Sequence, residues 1–125
     1  PMACPKFVPL IEGEQFGDSE IEQAVAEYAA PLKEAGIDAL ILSCTHYPFI
    51  KDVVEAEFGS EVTVIDPAEA TAKLSKEALE KEGLLSDGEG GVTICCTAEL
   101  ERVKRLASRM LPSEQCQFKE IALIP

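Results

Sequence analysis

The sequence predicts an α/β protein built on a mostly parallel sheet with flanking helices. Three observations predict it. Short apolar or β-branched runs of strand length alternate with longer segments whose apolar residues recur at helical spacing. Gly36, Gly59 and Gly83 fall where helices should stop. The run Ala39-Leu40-Ile41-Leu42 is continuously apolar, as a strand covered on both faces would be. Strands alternating with helices in this way argue for a parallel sheet between helical layers.

Taken in order, Phe7 to Ile11 is a short apolar run interrupted by Pro9, and reads as a strand at or near an edge. Ser19 with Glu22 forms a capping box that opens a helix. Ile21, Val25, Tyr28 and Leu32 continue it, Pro31 should kink or split it near Ala30, and Gly36 ends it. Asp38 to Leu42 is the next strand. Phe49 to Phe58 reads as a helix closed by Gly59, and Glu61 to Ile65 alternates like a strand. Asp66 can cap the following helix, with Pro67 first and Glu69 three residues on; it runs to about Glu82. Ser86 to Gly91 is an acidic, glycine-rich loop, and the one linker-like stretch. Val92 to Cys96 is a strand, Thr97 a helix cap, Ala98 to Leu111 a helix, and Gln117 to Leu123 a last strand. The expected order is β-α-β-α-β-α-β-α-β over a single unit, residues 1–125.

Composition narrows the partners. The net charge is −12, which repels phosphate backbones, so nucleic acid is not an expected partner. Arg102, Lys104, Arg105 and Arg109 cluster on one predicted helix, where a solvated face is the simpler reading. No apolar run approaches the roughly 20 residues that cross a bilayer, and no membrane association is expected. The five cysteines fit no paired zinc spacing. Cys95 and Cys96 are adjacent in a predicted strand and so point to opposite faces. A reducing, cytoplasmic compartment is expected, and the sequence offers no metal-ligand cluster.

The chemistry concentrates at Ser43-Cys44-Thr45-His46-Tyr47-Pro48, directly after the strand Asp38 to Leu42. Ligands of open α/β sheets bind at the carboxyl ends of strands. A thiolate there can act as a nucleophile or proton carrier, and a helix amino terminus close by favours the thiolate. Cys44 can equally be a buried cysteine acting as a small hydrophobe. His46, the chain's one histidine, shares a face with Cys44 if the segment is extended, whereas a loop would carry them apart. It can serve as an acid or base near neutral pH, or simply bond a backbone carbonyl. Glu12 also follows a predicted strand and can reach the same crevice, to orient His46 or to hold a substrate ammonium; a solvated turn is the other reading. Tyr47 and Pro48 are read as shaping the loop. The glycines at 83, 88, 90 and 91 make no phosphate loop.

These segments resemble a known family. Gly36 to Pro48, with its Cys44-Thr45-His46-Tyr47-Pro48 core, is similar to the second cysteine motif of bacterial glutamate racemases, in the aspartate/glutamate racemase superfamily. Ala3-Cys4-Pro5-Lys6-Phe7-Val8-Pro9-Leu10-Ile11-Glu12 resembles the segment preceding it, and Val62 to Asp66 with the Thr71-containing helix also fits. The resemblance covers roughly residues 3 to 80 and extends more loosely from Val92 onward. It implies an aspartate/glutamate racemase-like fold. Residues 1 to about 85 would belong to the second lobe, and about 91–125 would be the closing strand-helix-strand. It also implies a cofactor-independent interconversion of L- and D-glutamate, supplying D-glutamate for peptidoglycan, by two cysteines on opposite faces of the substrate. Cys44 matches the second cysteine, Thr45 a residue that contacts substrate, and His46 and Glu12 residues that assist that cysteine.

The chain departs from the family pattern as well. The Asp-Ser-Gly and Cys-Asn-Thr-Ala segments of the family's first half do not occur. Ser43 stands where glycine is usual, and Cys96-Thr97-Ala98 stands where Thr-Gly-Asp is usual. The chain therefore looks like the carboxy-terminal half of such an enzyme, and is expected to racemise little or nothing by itself. Two other readings stay open at this level. One is a single-cysteine racemase or decarboxylase relative. The other is a non-catalytic domain that binds a small acid or forms a homodimer.

Overall fold

Residues 1–14, 19–112 and 116–123 are described by a computed structural model of the chain. The elements run α1 (Phe7–Glu12), α2 (Ser19–Glu34), β1 (Ala39–Ile41), a 3-10 turn (Tyr47–Ile50), α3 (Lys51–Phe58), a second 3-10 turn (Gly59–Glu61), β2 (Thr63–Ile65), α4 (Ala68–Lys81), β3 (Val92–Cys96), α5 (Leu100–Ala107) and β4 (Cys116–Glu120). They fall into two units, Pro1–Gly83 and Leu84–Pro125.

The first unit is built around one apolar cluster. Phe7 and Ile11 of α1, Ile21, Ala24 and Val25 of α2, Leu42, Ile50, Val54 of α3 and Val64 of β2 are all buried in it. The segment expected to be an edge strand, Phe7 to Ile11, is instead the helix α1. Phe7 and Ile11 stand one helical turn apart, so both reach the core from one face. Pro9 is compatible because it lies in the first turn, where a backbone N–H has no helical partner. The Phe7 amide bonds the Cys4 carbonyl at 3.1 Å, and the Gly13 amide bonds the Pro9 carbonyl at 2.9 Å.

Helix α2 runs through Pro31 as one 16-residue element and is not split near Ala30. Burial of Ile21, Ala24, Val25 and Ala29 along one stripe holds it together across the missing hydrogen bond. Ser19 is its first residue, and the residues just before it lie outside those described, so the capping box there is not defined. Lys33 near its end bonds Glu57 of α3 at 2.6 Å and lies over the Phe58 ring at 5.7 Å.

Strands β1 and β2 pair in parallel, Ala39 with Thr63, Leu40 with Val64 and Ile41 with Ile65. The ladder extends through Leu42 N to Ile65 O and Thr63 N to Asp38 O, both 2.9 Å. Alternation puts Leu40, Leu42 and Val64 toward the core. It leaves Ile41 58% and Ile65 41% exposed, so the strand expected to be covered on both faces is covered on one. Asp66 caps α4 as expected, its Oδ1 accepting from the Ala68 amide at 3.0 Å. Glu69 pairs with Lys73 at 2.6 Å rather than closing a capping box. No residue of α4 is buried, and Leu74 is 65% exposed.

In the second unit, β3 and β4 pair in parallel from Val92 with Cys116 to Cys96 with Glu120. Helix α5 starts at Leu100, and its cap is Glu99 in the left-handed region (φ 56°), not Thr97. Two residues of turn therefore separate the strand from the cap. Ser108 ends α5 short of the expected Leu111, and the last strand stops at Glu120 rather than Leu123. Among the described residues the sheet is thus two separate parallel pairs, in place of one sheet of five strands. The α/β class and the parallel pairing stand. The first strand of the expected order is a helix.

Candidate functional site

The candidate site forms where β1 ends. Leu42 closes the strand against the core, and Ser43 to His46 form an irregular loop before the 3-10 turn at Tyr47. Pro48 stands at the start of that turn, where its fixed φ suits a helical first residue. Cys44 is half-buried in this loop and Thr45 is exposed. His46 has helical backbone angles (φ −88°, ψ −31°), so the segment is not extended and the imidazole turns toward α1.

There it meets Glu12. His46 Nε2 lies 3.2 Å from Glu12 Oε1, with the two side chains 32% and 34% exposed. The carboxylate can only accept, so Nε2 carries the proton and donates. Nδ1 lies 3.4 Å from Thr45 Oγ1 and is left as the acceptor of that hydroxyl. Glu12 reaches this position from the last residue of α1, not from the end of a strand. Four residues singled out from the sequence, Glu12, Cys44, Thr45 and His46, therefore share one corner. The polar contacts join Glu12, His46 and Thr45. Cys44 is tied in through the chain rather than by a bond to the imidazole.

Four residues not singled out as functional, Cys4, Phe7, Tyr28 and Tyr47, complete the corner. The Phe7 ring is edge-on to Tyr47 (5.2 Å, 85°) and edge-on to Tyr28 of α2 (5.2 Å, 88°). The Tyr47 phenol is pushed above its usual range by burial first, and then by the nearby Cys4 and Cys44 sulfurs. Burial likewise pushes the Cys4 thiol up, partly offset by its hydrogen bond with Tyr47. The i,i+4 spacing of Phe7 and Ile11 was the available signal for this arrangement. A cavity of about 380 Å³ opens beside the loop, with Cys4, Phe7, Tyr28, Ser43 and Tyr47 in its wall. All five cysteines are free. Among the described residues, no three His, Cys, Asp or Glu side chains are grouped to hold a metal ion, and no helix is long and apolar enough to cross a membrane.

Residues 1–75 match the Asp/Glu/Hydantoin racemase family. The chain belongs to this family. It is 47% identical over 88 residues to a glutamate racemase of Desulforudis audaxviator, covering 70% of this chain and 32% of that protein. It is 32% identical over 124 residues to the glutamate racemase of Levilactobacillus brevis, covering 98% of this chain and 45% of the relative. The fold of this family member superposes on glutamate racemase isoform RacE1 from Bacillus anthracis with a TM-score of 0.86 at 30% identity, over 98% of this chain and 46% of that one. A Francisella tularensis glutamate racemase solved in complex with D-glutamate superposes at 0.80, with 26% identity, over 93% and 44%. The chain thus spans from just under a third to just under a half of the relatives it matches.

Proposed function

We propose that this chain is part of a glutamate racemase and supplies one of the two acid-base faces that interconvert L- and D-glutamate. The observation that carries the reading is the Glu12–His46 pair beside Cys44, at the carboxyl end of β1, in a member of this racemase family. In this reading residues 1–85 belong to the enzyme's second lobe and 91–125 form its closing strand-helix-strand. The full enzyme works in the cytoplasm, without a cofactor, and feeds peptidoglycan synthesis.

Racemisation requires that the Cα–H bond break on one face and re-form on the other. In one direction the Cys44 thiolate takes the Cα proton, and its bonding electrons stay on carbon, delocalised into the carboxylate. A second thiol, outside this chain, then gives a proton to the opposite face. In the reverse direction Cys44, as thiol, is the donor. A single group could only return the proton to the face it came from, so both are needed. His46, oriented by Glu12, takes up or returns the proton that Cys44 exchanges, and Thr45 contacts the substrate. The carbanion-like state is costly, so these groups must be positioned before the proton moves.

The test replaces the matched part of the B. anthracis enzyme with this chain. The hybrid should racemise glutamate, and Cys44→Ser should lower kcat by about 10²- to 10⁴-fold, the usual contribution of a positioned acid-base group. One enantiomer should still exchange its Cα proton with deuterium oxide through the remaining cysteine. Racemisation that survives Cys44→Ser unchanged would overturn the assignment. The 125-residue chain alone should not racemise in the same assay.

A further inference from the structure

Helix α1 and the loop after β1 meet through an apolar contact and a polar one. At the start of α1 the Phe7 ring meets the Tyr47 ring edge-on at 5.2 Å. At its last residue Glu12 Oε1 meets His46 Nε2 at 3.2 Å. The polar contact is about one-third open to solvent on each side, so water competes for both partners. The apolar contact is not: Phe7 is 5% exposed and is held from a second side by Tyr28 of α2. His46 and Tyr47 are adjacent and lead directly into a 3-10 turn, so the two side chains are carried on one short, ordered piece of backbone.

We infer that the Phe7–Tyr47 edge is a clasp that positions the catalytic pair. It sets α1 against residues 44–47 so that the Glu12 carboxylate receives the hydrogen bond of His46 Nε2–H, and thereby holds the imidazole in a single tautomer with Nδ1 free to accept. Phe7 and Tyr47 are positioning residues, acting through Glu12 and His46. The catalytic meaning of the clasp rests on the function proposed above. Its geometry does not, and it can be read without substrate.

The chain contains one histidine, so the ¹⁵N spectrum of its imidazole reports the tautomer of His46 alone. The measurement is made on the full chain, at a pH well above the ordinary histidine range. The wild type should show the Nε2–H form. Glu12→Ala should lower the ratio of Nε2–H to Nδ1–H by on the order of tenfold, as loss of one charge-assisted hydrogen bond does. Tyr47→Leu and Phe7→Leu should lower it as far as Glu12→Ala does, and Glu12→Ala combined with Tyr47→Leu no further. Tyr47→Phe keeps the ring and should keep the wild-type ratio. Val54→Ala weakens the same core from α3 and should also leave the ratio alone. If Phe7→Leu does not fold, Tyr47→Leu, at a partly buried position on the edge of the core, decides. A wild-type ratio in Tyr47→Leu, or a Val54→Ala shift as large as that of Glu12→Ala, would overturn the clasp. An inactive hybrid with the expected tautomer shifts would sink the racemase assignment and leave the clasp intact.

Discussion

At the scale of single residues, the corner after β1 is organised by one buried ring. Phe7 contacts Tyr28 and Tyr47 together, so truncating it removes two edge-on pairs as well as its own buried area. Phe7→Ala should cost about 3–5 kcal/mol, the range of Phe to Ala changes in cores, measured by urea unfolding. Cys4 and Tyr47 give the same corner a pH dependence. Their ionisation sits higher in the folded chain than the ordinary 9.0 and 10.0, chiefly through burial. The unfolded chain therefore loses these protons first as pH rises, and stability falls with it. The Tm should be unaffected by these two groups below about pH 8 and should decline from about pH 9 upward. The combined change Cys4→Ala, Tyr47→Phe should flatten that decline; an unaltered slope would show that other groups carry it.

At the scale of elements, local signals worked best where a cap or a glycine set the boundary. Asp66 accepts from the Ala68 amide and starts α4, which buries no residue of its own. The helix therefore depends on its end more than on its face, and Asp66→Ala should cost about 1 kcal/mol, with a matching drop in helical circular dichroism. Gly59 closes α3 at φ 69°, with open space where a Cβ would stand. With ψ at −164° this is backbone that essentially only glycine adopts. Gly59→Ala should therefore cost about 1–3 kcal/mol through backbone strain alone, and Gly59→Asn as much, since asparagine's tolerance is for the left-handed helical region. Local signals failed at α1. An apolar run with proline suits an edge strand and a first-turn proline helix alike, and the choice went to the conformation that buries Phe7 and Ile11 together.

At the scale of the molecule, burial is unevenly divided. Every fully buried hydrophobic side chain among the described residues lies between Phe7 and Val64, and the second unit has none. Amide hydrogen exchange should therefore be slowest in α2 and α3. It should be markedly faster in β3, β4 and α5, whose hydrogen bonds are shielded by little apolar surface. Protection in β3 equal to that in α2 would contradict this ordering. The exposed Ile41–Ile65 pair on the outer face of β1 and β2 belongs to the same uneven picture.

The chain's own residues determined the α/β class, the parallel pairing, the extents of β1 to β3 and of α3 and α4 to within a residue or two, and the identity of the corner. Cys44 and His46 were legible because an apolar strand followed by a thiol and the one imidazole is a local pattern, whereas Thr45 was singled out only through the family resemblance. Glu12 was legible only as a carboxylate after an apolar segment, since its partner lies 34 positions away. Tertiary structure decided the rest. It made Phe7 to Glu12 a helix, turned His46 away from an extended path toward Glu12, carried α2 through Pro31, and left two strand pairs in place of one sheet. Each of these depends on which apolar faces meet, and that is a property of the packed chain that no window of neighbouring residues contains.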